Sequence, residues 1–322
     1  MKAIRVRAYG DADVLRLEEV PEPEPGPGEA RVKIEAAGVN FVDVYHRSGQ
    51  YPSQLPLTPG FEAAGTVDAV GPQVTGLAPG ARVAYASNPG SYSEYVVAPV
   101  SRLVPIPEQI PTPVAAAVMI QGMTAHFLCN DMYRFQPGDT VLVHAAAGGL
   151  GQLLTQLLKR RGLRVVGTTS TEYKAELAYQ SGADEVINYS ESDFASEIRR
   201  STSGAGVAVV YDSVGQRTWR SSLECVRRRG LLVLCGQSSG PVPPVDPQLL
   251  RAQGSVGLVR PDLAHYIAER TELLGRSGEI FSLVAAGELR VRIDGTLPLA
   301  RAADAHRRLQ QRATTGKILL IP

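Results

Sequence analysis

The segment HAAAGGLG, residues 144–151, decides the fold of this chain. It completes the apolar run TVLVHA and leads into leucines at positions 150, 153, 154, 157 and 158. Because these leucines recur at the spacing of one helix face, the segment predicts a buried strand, a tight turn and an amphipathic helix packed on a sheet. Gly162 is expected near the C-terminal cap of that helix.

The glycines of this turn nearly match the pattern G-x-G-x-x-G, except that Ala146 stands at its first position. Gly148 would allow the backbone to approach a pyrophosphate, and Gly151 would allow close packing of helix on strand. Free N–H groups at the start of the helix attract an anion. The turn therefore predicts a dinucleotide-binding loop, with a tight turn that holds no ligand as the alternative.

The composition points to a small-molecule partner. The chain has 322 residues, of which 33 are basic and 32 acidic, and this balance gives no electrostatic reason to expect nucleic acid or an anionic membrane. The N-terminus MKAIRVRAYG lacks the apolar segment of a secretory signal, and no apolar run approaches the length of a membrane span. A cytoplasmic protein is therefore expected. Three widely spaced cysteines are expected to be buried reduced thiols: Cys129, Cys225 and Cys235.

The chain changes character near Pro137. Before it, short alternating runs such as ARVKIEAAGVN, GTVDAVG and ARVAYA, punctuated by glycine and proline, predict a mainly β domain. After it, six apolar runs alternate with helical segments and predict a doubly wound, six-stranded parallel sheet: TVLVHA, LRVVGTT, EVINY, VAVVYDS, LLVLCG and SVGLV. We expect a Rossmann domain at 122–259, inserted into a domain formed by 1–121 and completed by 260–322.

The run VVGTTSTEYK indicates which dinucleotide the loop would prefer. An NAD site normally places an acid here to bind the ribose 2′-hydroxyl, and none occurs before Glu172. Ser170, Lys174 and Tyr189 instead offer hydroxyls and a cation, which suit the 2′-phosphate of NADPH. The alternative is that Lys174 lies on a solvated helix face.

Several longer motifs carry a family resemblance that runs nearly end to end: AAGVNFVDVYHRSGQYP, PGFEAAGTV, QGMTAHFL, YDSVG and RRGLLVLCGQSSG. Together they resemble the medium-chain dehydrogenase/reductase superfamily and, within it, the zinc-free NADPH:quinone oxidoreductases related to zeta-crystallin, above all the bacterial subgroup. The resemblance implies that the mainly β domain is a GroES-like catalytic domain. It also implies a homodimer.

The resemblance further implies chemistry without a metal. Zinc dehydrogenases of the superfamily carry a cysteine where this chain has Asn40 and a histidine where it has Phe61, and they contain a four-cysteine loop that is absent here. Zinc needs three or four converging ligands, which Glu62 alone cannot supply. The five scattered histidines are interpreted as structural.

Without a Lewis acid, hydride transfer requires an electron-poor acceptor, and a quinone is one because its reduction leaves a resonance-stabilised hydroquinone anion. By resemblance, four residues line the acceptor pocket: Asn40, Asp43, Tyr45 and Tyr51. Tyr51 is the first candidate to contact the acceptor oxygen, and Asn40 is a polar contact near the nicotinamide. The alternative for Tyr51 is that it only packs its loop.

The resemblance also implies a set of NADPH contacts. Thr124 is expected to contact the nicotinamide side of the cofactor. A second group of residues is expected to contact the pyrophosphate and the 2′-phosphate. A third group, which extends to a residue near the C-terminus, is expected near the nicotinamide ribose. The second group is Gly148, Gly149, Leu150, Ser170, Lys174 and Tyr189, and the third is Gly236, Gln237, Ser238, Val259, Arg260 and Lys317.

Two other functions stay open. The same zinc-free pocket could deliver hydride to an activated alkene such as an enone or enal. A non-enzymatic role, as an NADPH-binding crystallin-like or RNA-binding protein, would draw on the basic clusters at Arg227–Arg229 and in AHRRLQQR. A solvated helix face explains both clusters better, so no nucleic-acid partner is expected.

Overall fold

The computed structural model describes all 322 residues and divides them into two compact units. One unit comprises Met1–Met123 and Tyr266–Pro322, and the other comprises Thr124–His265. The sequence placed the corresponding boundaries at 121/122 and 259/260, a few residues earlier. The first boundary lies within the helix α2, Thr112–Asn130.

The second unit is built on a six-stranded sheet in which every pairing is parallel. Its strands are β8 (Thr140–Val143), β9 (Arg164–Thr169), β10 (Glu185–Asn188), β11 (Val207–Asp212), β12 (Val226–Leu234) and β13 (Gly257–Val259). They lie in the order β10-β9-β8-β11-β12-β13, the doubly wound order with its topological switch between β8 and β11. The predicted fold class is confirmed.

Helices connect these strands, and α8 follows the last of them: α3 (Gly149–Arg160), α4 (Glu172–Gln180), α5 (Phe194–Ser201), α6 (Trp219–Cys225), α7 (Pro247–Ala252) and α8 (Leu263–Tyr266). Helix α3 buries Leu153, Leu154, Leu157 and Leu158, the stripe that the sequence predicts. Its C-terminal turn closes with Gly162 at φ +75°, a left-handed conformation that glycine adopts without steric cost.

Ala146 fits at the first glycine position because the neighbouring strand makes room for it. Ala146 is fully buried, and a Cβ placed on Gly167 of β9 would lie only 2.7 Å from the Ala146 methyl. The preceding Ala145 takes a positive φ of 51°, a conformation usually left to glycine. The turn therefore keeps its shape without its first glycine.

The first unit is built on a seven-stranded, mostly antiparallel sheet. Its strands run in the order β14-β15-β3-β4-β5-β7, and β6 also pairs with β3. Their bounds are β3 (Glu29–Val39), β4 (Glu62–Val70), β5 (Arg82–Ala86), β6 (Tyr95–Pro99), β7 (Val104–Pro105), β14 (Ile293–Pro298) and β15 (Lys317–Ile321). A separate hairpin pairs β1 (Lys2–Arg5) with β2 (Arg16–Glu19).

The helices of this unit include α1 (Phe41–Ser48), α9 (Arg270–Ala285) and α10 (Ala302–Gln310), besides α2. The sheet encloses one apolar core, to which Val32, Val67, Tyr85 and Leu320 contribute. The C-terminal strand β15 pairs with β3, so the end of the chain lies in the same sheet as its first hundred residues.

One expectation about the two basic clusters is corrected, whereas the cluster in AHRRLQQR lies on a helix, α10, as the sequence predicts. Arg227–Arg229 lie not on a helix but in the strand β12, which begins at Val226. Within this cluster, Arg227 forms an ion pair with Asp139 at 2.6 Å. On α10, Arg307 and Arg308 both pair with aspartates. These basic side chains are therefore partly neutralised within the protein.

Helix α2 is long and apolar enough to cross a membrane, which corrects the expectation that no run reaches that length. In this structure 72% of its most apolar segment is buried inside the protein, as in an ordinary core helix. The three cysteines are free thiols; Cys129 and Cys225 are buried and Cys235 is partly buried.

Candidate active site

Asn40 stands at the junction of β3 and α1, where it is the N-terminal cap residue with extended backbone. Its side chain is nearly buried and hydrogen-bonded at both ends of the carboxamide. Nδ2 donates to Glu62 Oε1 at 2.7 Å, and Oδ1 accepts from Lys317 Nζ at 2.7 Å and from Gln121 Nε2 at 3.4 Å. The amide is therefore held in one orientation, since a flip would turn its donor toward a cation and its acceptor toward a carboxylate.

Lys317 and Glu62 form a buried ion pair beside Asn40. Lys317 is 1% exposed and Glu62 is 0% exposed, and the ammonium donates to Glu62 Oε1. The second carboxylate oxygen accepts from the backbone N–H of Ile120 at 2.6 Å. Both charges thus have the partners that burial requires. The resemblance implies that Lys317 contacts the cofactor. In the structure its ammonium contacts Asn40 and Glu62.

Asp43 lies beneath Asn40 and not on a pocket wall, which revises the expectation that it lines the pocket. It is 0% exposed, and Oδ2 accepts from the Asn40 backbone N–H at 2.7 Å and from the Tyr92 hydroxyl at 2.9 Å. Burial raises the pKa of Asp43 to about 7, against the effect of these hydrogen bonds. Asp43 can therefore act on a bound molecule only through Asn40 or Tyr92.

His306 lies on the other side of the Tyr92 hydroxyl from Asp43 and extends this series of hydrogen bonds. Its Nε2 lies 3.0 Å from the Tyr92 hydroxyl, while its Nδ1 is buried without a hydrogen-bond partner. Burial lowers the pKa of His306 to about 3, so the imidazole is neutral near pH 7.

Tyr45 and Tyr51, the other two predicted pocket residues, lie together. Their ring centroids are 5.2 Å apart in an edge-on arrangement, and the backbone N–H of Tyr51 donates to the carbonyl of Tyr45 at 3.0 Å. Tyr45 is buried and Tyr51 is partly exposed. His46 contacts Tyr51 edge-on and stacks on Phe61 at 4.6 Å. This aromatic group is apolar except for the tyrosine hydroxyls and the imidazole.

These residues do not suit a metal ion. No three or more histidine, cysteine, aspartate or glutamate side chains gather anywhere in the structure in a way that could hold one. At the two positions where the resemblance implies zinc ligands, Asn40 offers an amide and Phe61 offers a phenyl ring.

In the second unit, β8 and the N-terminus of α3 form the strand–turn–helix for which the sequence predicts nucleotide binding, here named the nucleotide loop. Gly148 is the N-terminal cap residue of α3, and the first backbone N–H groups of the helix follow from Gly149 and Leu150. A Cβ on Gly151 would lie 2.3 Å from the Ala145 carbonyl oxygen, so only glycine fits this close approach. The loop thus combines an anion-attracting helix end with the tight packing that the motif predicts.

A buried polar network underlies this loop and joins the ends of three strands. Asp212 Oδ2 accepts from Ser222 Oγ at 2.7 Å, His144 Nε2 lies 2.9 Å from Ser222 Oγ, and His144 Nδ1 lies 2.9 Å from Thr168 Oγ1. Because the Ser222 hydroxyl donates to Asp212, it accepts from His144 Nε2–H, which leaves Nδ1 to accept from Thr168. Burial lowers the pKa of His144, in keeping with this neutral form.

Ser170 directly follows β9, Tyr189 directly follows the neighbouring strand β10, and Lys174 lies in the helix after β9. The Tyr189 backbone N–H donates to the carbonyl of Thr169 at 3.0 Å, and Ser190 Oγ donates to the carbonyl of Ser170 at 3.1 Å. Lys174 lies in the first turn of α4, whose cap residue Thr171 accepts from its backbone N–H. Tyr189 is 38% exposed. No carboxylate precedes Glu172 in this loop.

The remaining predicted contacts follow the neighbouring strands, except Thr124, which lies in α2. The backbone N–H of Gly236 donates to the carbonyl of Asp212, the last residue of β11, at 3.3 Å, and that of Ser238 donates to the carbonyl of Ser213 at 3.2 Å. Arg260 Nη1 donates to the Leu234 carbonyl at 2.9 Å. Gln237 lies between Gly236 and Ser238, and Val259 ends β13.

Two family models match the chain. Residues 26–108 match the alcohol dehydrogenase GroES-like domain, and residues 149–268 match the zinc-binding dehydrogenase model. The quinone oxidoreductase of Pseudomonas aeruginosa is 44% identical over 100% of this chain and 99% of its own. The chain belongs to the quinone oxidoreductase family.

Two further similar proteins bear on the cofactor and on the type of acceptor. The crystal structure of the Escherichia coli quinone oxidoreductase complexed with NADPH superposes with a TM-score of 0.97, at 40% identity and with full coverage of both chains. A 2-haloacrylate reductase from Burkholderia is 41% identical over 97% of this chain and 96% of its own. The predicted family resemblance is confirmed.

Sequence reasoning missed several residues of the site. Tyr92 belongs to no motif, Gln121 opens the motif QGMTAHFL but was given no role, and Glu62 was considered only as a metal ligand. Asp212 lies within YDSVG and Ser222 lies in the helix that follows it, α6, but their link to His144 depends on three strands lying side by side. The position of His144 at the end of a predicted strand was the one available signal.

Proposed function

We propose that the protein is an NADPH-dependent quinone oxidoreductase that works without a metal. The observation that carries the proposal is the Asn40 cluster, in which an amide, an ammonium and a carboxylate satisfy one another and provide no Lewis acid. Such a cluster can orient an acceptor but cannot polarise a simple carbonyl as zinc does. The kinship to quinone oxidoreductases over the full chain supports the same conclusion.

The residues of the second unit suit NADPH. The α3 N-terminus, with no side chain in the way at Gly148 and Gly149, would hold the pyrophosphate. Ser170, Lys174 and Tyr189 would hold the 2′-phosphate, since they offer two hydroxyls and a cation with no carboxylate among them. Further contacts would come from Thr124, Leu150, Gly236, Gln237, Ser238, Val259 and Arg260.

NADPH, when bound, supplies a hydride for transfer to an electron-poor acceptor. The Tyr51 hydroxyl would donate a hydrogen bond to the acceptor oxygen, and the rings of Tyr45 and His46, which contact Tyr51 edge-on, would help to exclude water. The Asn40 amide has a second N–H that is not used by Glu62 and would contact the cofactor or the acceptor. Asp43 would keep Asn40 in place from below through the backbone N–H.

A second candidate function is the reduction of an activated alkene. The observation that favours it is the 2-haloacrylate reductase at 41% identity over nearly the whole chain. A polarised carbon–carbon double bond accepts hydride without a metal, so the same pocket could serve both acceptors.

A screen of NADPH oxidation tests the proposal. The purified protein should oxidise NADPH steadily with several ortho- and para-quinones, more slowly with NADH, and negligibly with simple aldehydes. Steady turnover with 2-haloacrylate or enones but with no quinone would replace the proposal with the alkene-reductase function.

We also propose that the protein works in the cytoplasm as a homodimer. The family resemblance supports the dimer, and β13 lies at an open edge of the six-stranded sheet. Light scattering on the purified protein should give twice the chain mass of 34.4 kDa. Fractionation of the producing cell should recover the activity with the cytosolic proteins.

A further inference from the structure

The buried Lys317 ammonium lies between two oxygen acceptors. It donates to Asn40 Oδ1 at 2.7 Å and to Glu62 Oε1, and its side chain is 1% exposed. The partners come from separate elements: Lys317 opens β15, Glu62 opens β4, and Asn40 caps α1. A carboxylate oxygen and an amide oxygen that converge on one buried cation resemble the surroundings of a metal ion more than those of a surface lysine.

The two oxygen partners of this cation lie where the resemblance implies a zinc centre. Asn40 stands at the position of a cysteine ligand, and Glu62 directly follows Phe61, which stands at the position of a histidine ligand. The chain matches a model described as a zinc-binding dehydrogenase, yet no set of metal-ligating side chains occurs in it. Zinc does not fit these residues, and a protein cation already contacts the carboxylate.

We propose that the Lys317 ammonium takes the place of the metal ion in this cluster, where it is the fixed cation and the positioning residue for Asn40. A second cation beside it would be repelled strongly in so buried a place, so the lysine also excludes metals. The ammonium fixes Asn40 Oδ1, while Glu62 fixes Nδ2, and the remaining Asn40 N–H keeps one direction. The importance of that direction for turnover rests on the proposed function; the replacement of the metal does not.

The charge balance gives a first test by unfolding. Lys317→Met keeps the side-chain length but leaves the Glu62 carboxylate buried without its cation, so its urea midpoint should fall clearly below that of the wild type. The double variant Lys317→Met/Glu62→Gln contains no unpaired charge and should recover much of the loss. Equal losses in the single and the double variant would show that the ammonium is not the counter-ion of Glu62.

A second test compares two metal-binding variants that differ only at Lys317. Asn40→Cys/Phe61→His restores a cysteine and a histidine beside Glu62 but retains the lysine, whereas Asn40→Cys/Phe61→His/Lys317→Met also removes it. Each variant is titrated with Co²⁺, and the visible absorption of the bound ion is recorded, with metal content measured after dialysis.

The triple variant should bind one equivalent of Co²⁺ at least tenfold more tightly than the double variant. Equal affinity in the two variants, or no binding by a folded triple variant, would overturn the proposal. If the triple variant does not fold, the unfolding comparison of Lys317→Met with Lys317→Met/Glu62→Gln decides. Neither measurement uses NADPH or a quinone, so a failure of the proposed function would appear separately.

Discussion

His144 Nε2 lies 2.9 Å from Ser222 Oγ, and this hydrogen bond ties the end of β8 to α6 beneath the nucleotide loop. On the other side of the ring, Nδ1 accepts from the hydroxyl of Thr168, the second-last residue of β9. The backbone of Thr168 in turn accepts from the N–H of Ala146 at 3.1 Å. The histidine therefore supports the loop through both of its ring nitrogens.

His144→Phe should lower the free energy of unfolding by about 1–3 kcal/mol, because Thr168 and Ser222 lose a buried partner while the ring volume is retained. NADPH affinity should fall as well, since Thr168 no longer holds a fixed position next to Ala146. Urea denaturation and fluorescence titration with NADPH measure the two effects. His265→Phe, at an exposed histidine, is the control and should change neither quantity. Unchanged affinity in His144→Phe would limit the network to a role in stability.

Lys174→Ala should weaken the use of NADPH by about ten- to a hundredfold and leave NADH nearly unaffected. The reason is that a charge-assisted hydrogen bond to the 2′-phosphate contributes roughly 1.5–3 kcal/mol, and NADH has no such group. The ratio of kcat/KM for the two cofactors is the measurement. Lys33→Ala removes the same charge from an exposed position on β3 and should leave the ratio unchanged. Parallel losses for both cofactors would assign Lys174 a different role.

The elements of the fold were predictable from sequence because each carries a local signal. Apolar β-branched runs gave all six parallel strands, and the leucine stripe gave α3 with its glycine stop. The start of β12 was missed because the polar run Arg227–Arg229 reads as surface, although Arg227 pairs with Asp139 of a distant turn. That pairing depends on tertiary structure, which periodicity does not report.

The site was only partly predictable, for the same physical reason. Asn40, Tyr45 and Tyr51 belong to one continuous motif, and the structure brings the two tyrosines together and holds Asn40 at the helix start. Lys317 is 277 residues from Asn40, and no short-range pattern indicates that its ammonium lies within 2.7 Å of the amide. Burial also decides roles that a motif cannot, as with Asp43, which is predicted on the pocket wall and lies fully buried.

Asp43 and His306 lie on either side of the Tyr92 hydroxyl and act in opposite directions on stability as the pH changes. Burial raises the pKa of Asp43 from 3.8 to about 7, so its contribution is fully present below pH 3.8 and is lost as the pH rises to about 7. Burial lowers the pKa of His306 from 6.5 to about 3, so its contribution is present above pH 6.5 and is lost as the pH falls to about 3.

Asp43→Asn should therefore make the free energy of unfolding fall more steeply on acidification from pH 6.5 to 3.8, by about 1.4 kcal/mol per pH unit, because the opposing slope of Asp43 is lost. His306→Gln should have the opposite effect on the slope. Urea denaturation at a series of pH values measures both, and Asp11→Asn, at an exposed carboxylate, should leave the slope unchanged. Identical slopes in all three variants would mean that neither buried group changes its proton binding on unfolding.

Tyr51→Phe should lower kcat/KM for quinones by about tenfold, which corresponds to a loss of about 1.4 kcal/mol in transition-state binding. The phenyl ring should keep its edge-on contacts with Tyr45 and His46, so NADPH affinity and the urea midpoint should not change. Steady-state kinetics with one para-quinone is the measurement, and Tyr179→Phe on the exposed face of α4 is the control. Full activity in Tyr51→Phe would reduce the tyrosine to a packing role in its loop.

Gly151→Ala should damage the nucleotide loop even though the added group is one methyl. That methyl would lie 2.3 Å from the Ala145 carbonyl oxygen and 2.8 Å from the Ala146 Cα, and both are backbone atoms that cannot rotate away. We expect a loss of about 1–3 kcal/mol in unfolding free energy together with weaker NADPH binding. Gly275→Ala is the matched control: this glycine lies inside α9 with open space around its Cβ position, so alanine should stabilise the protein by about 0.5–1 kcal/mol. If Gly151→Ala binds NADPH as tightly as the wild type, the close approach of helix and turn is not what shapes the phosphate-binding end of α3.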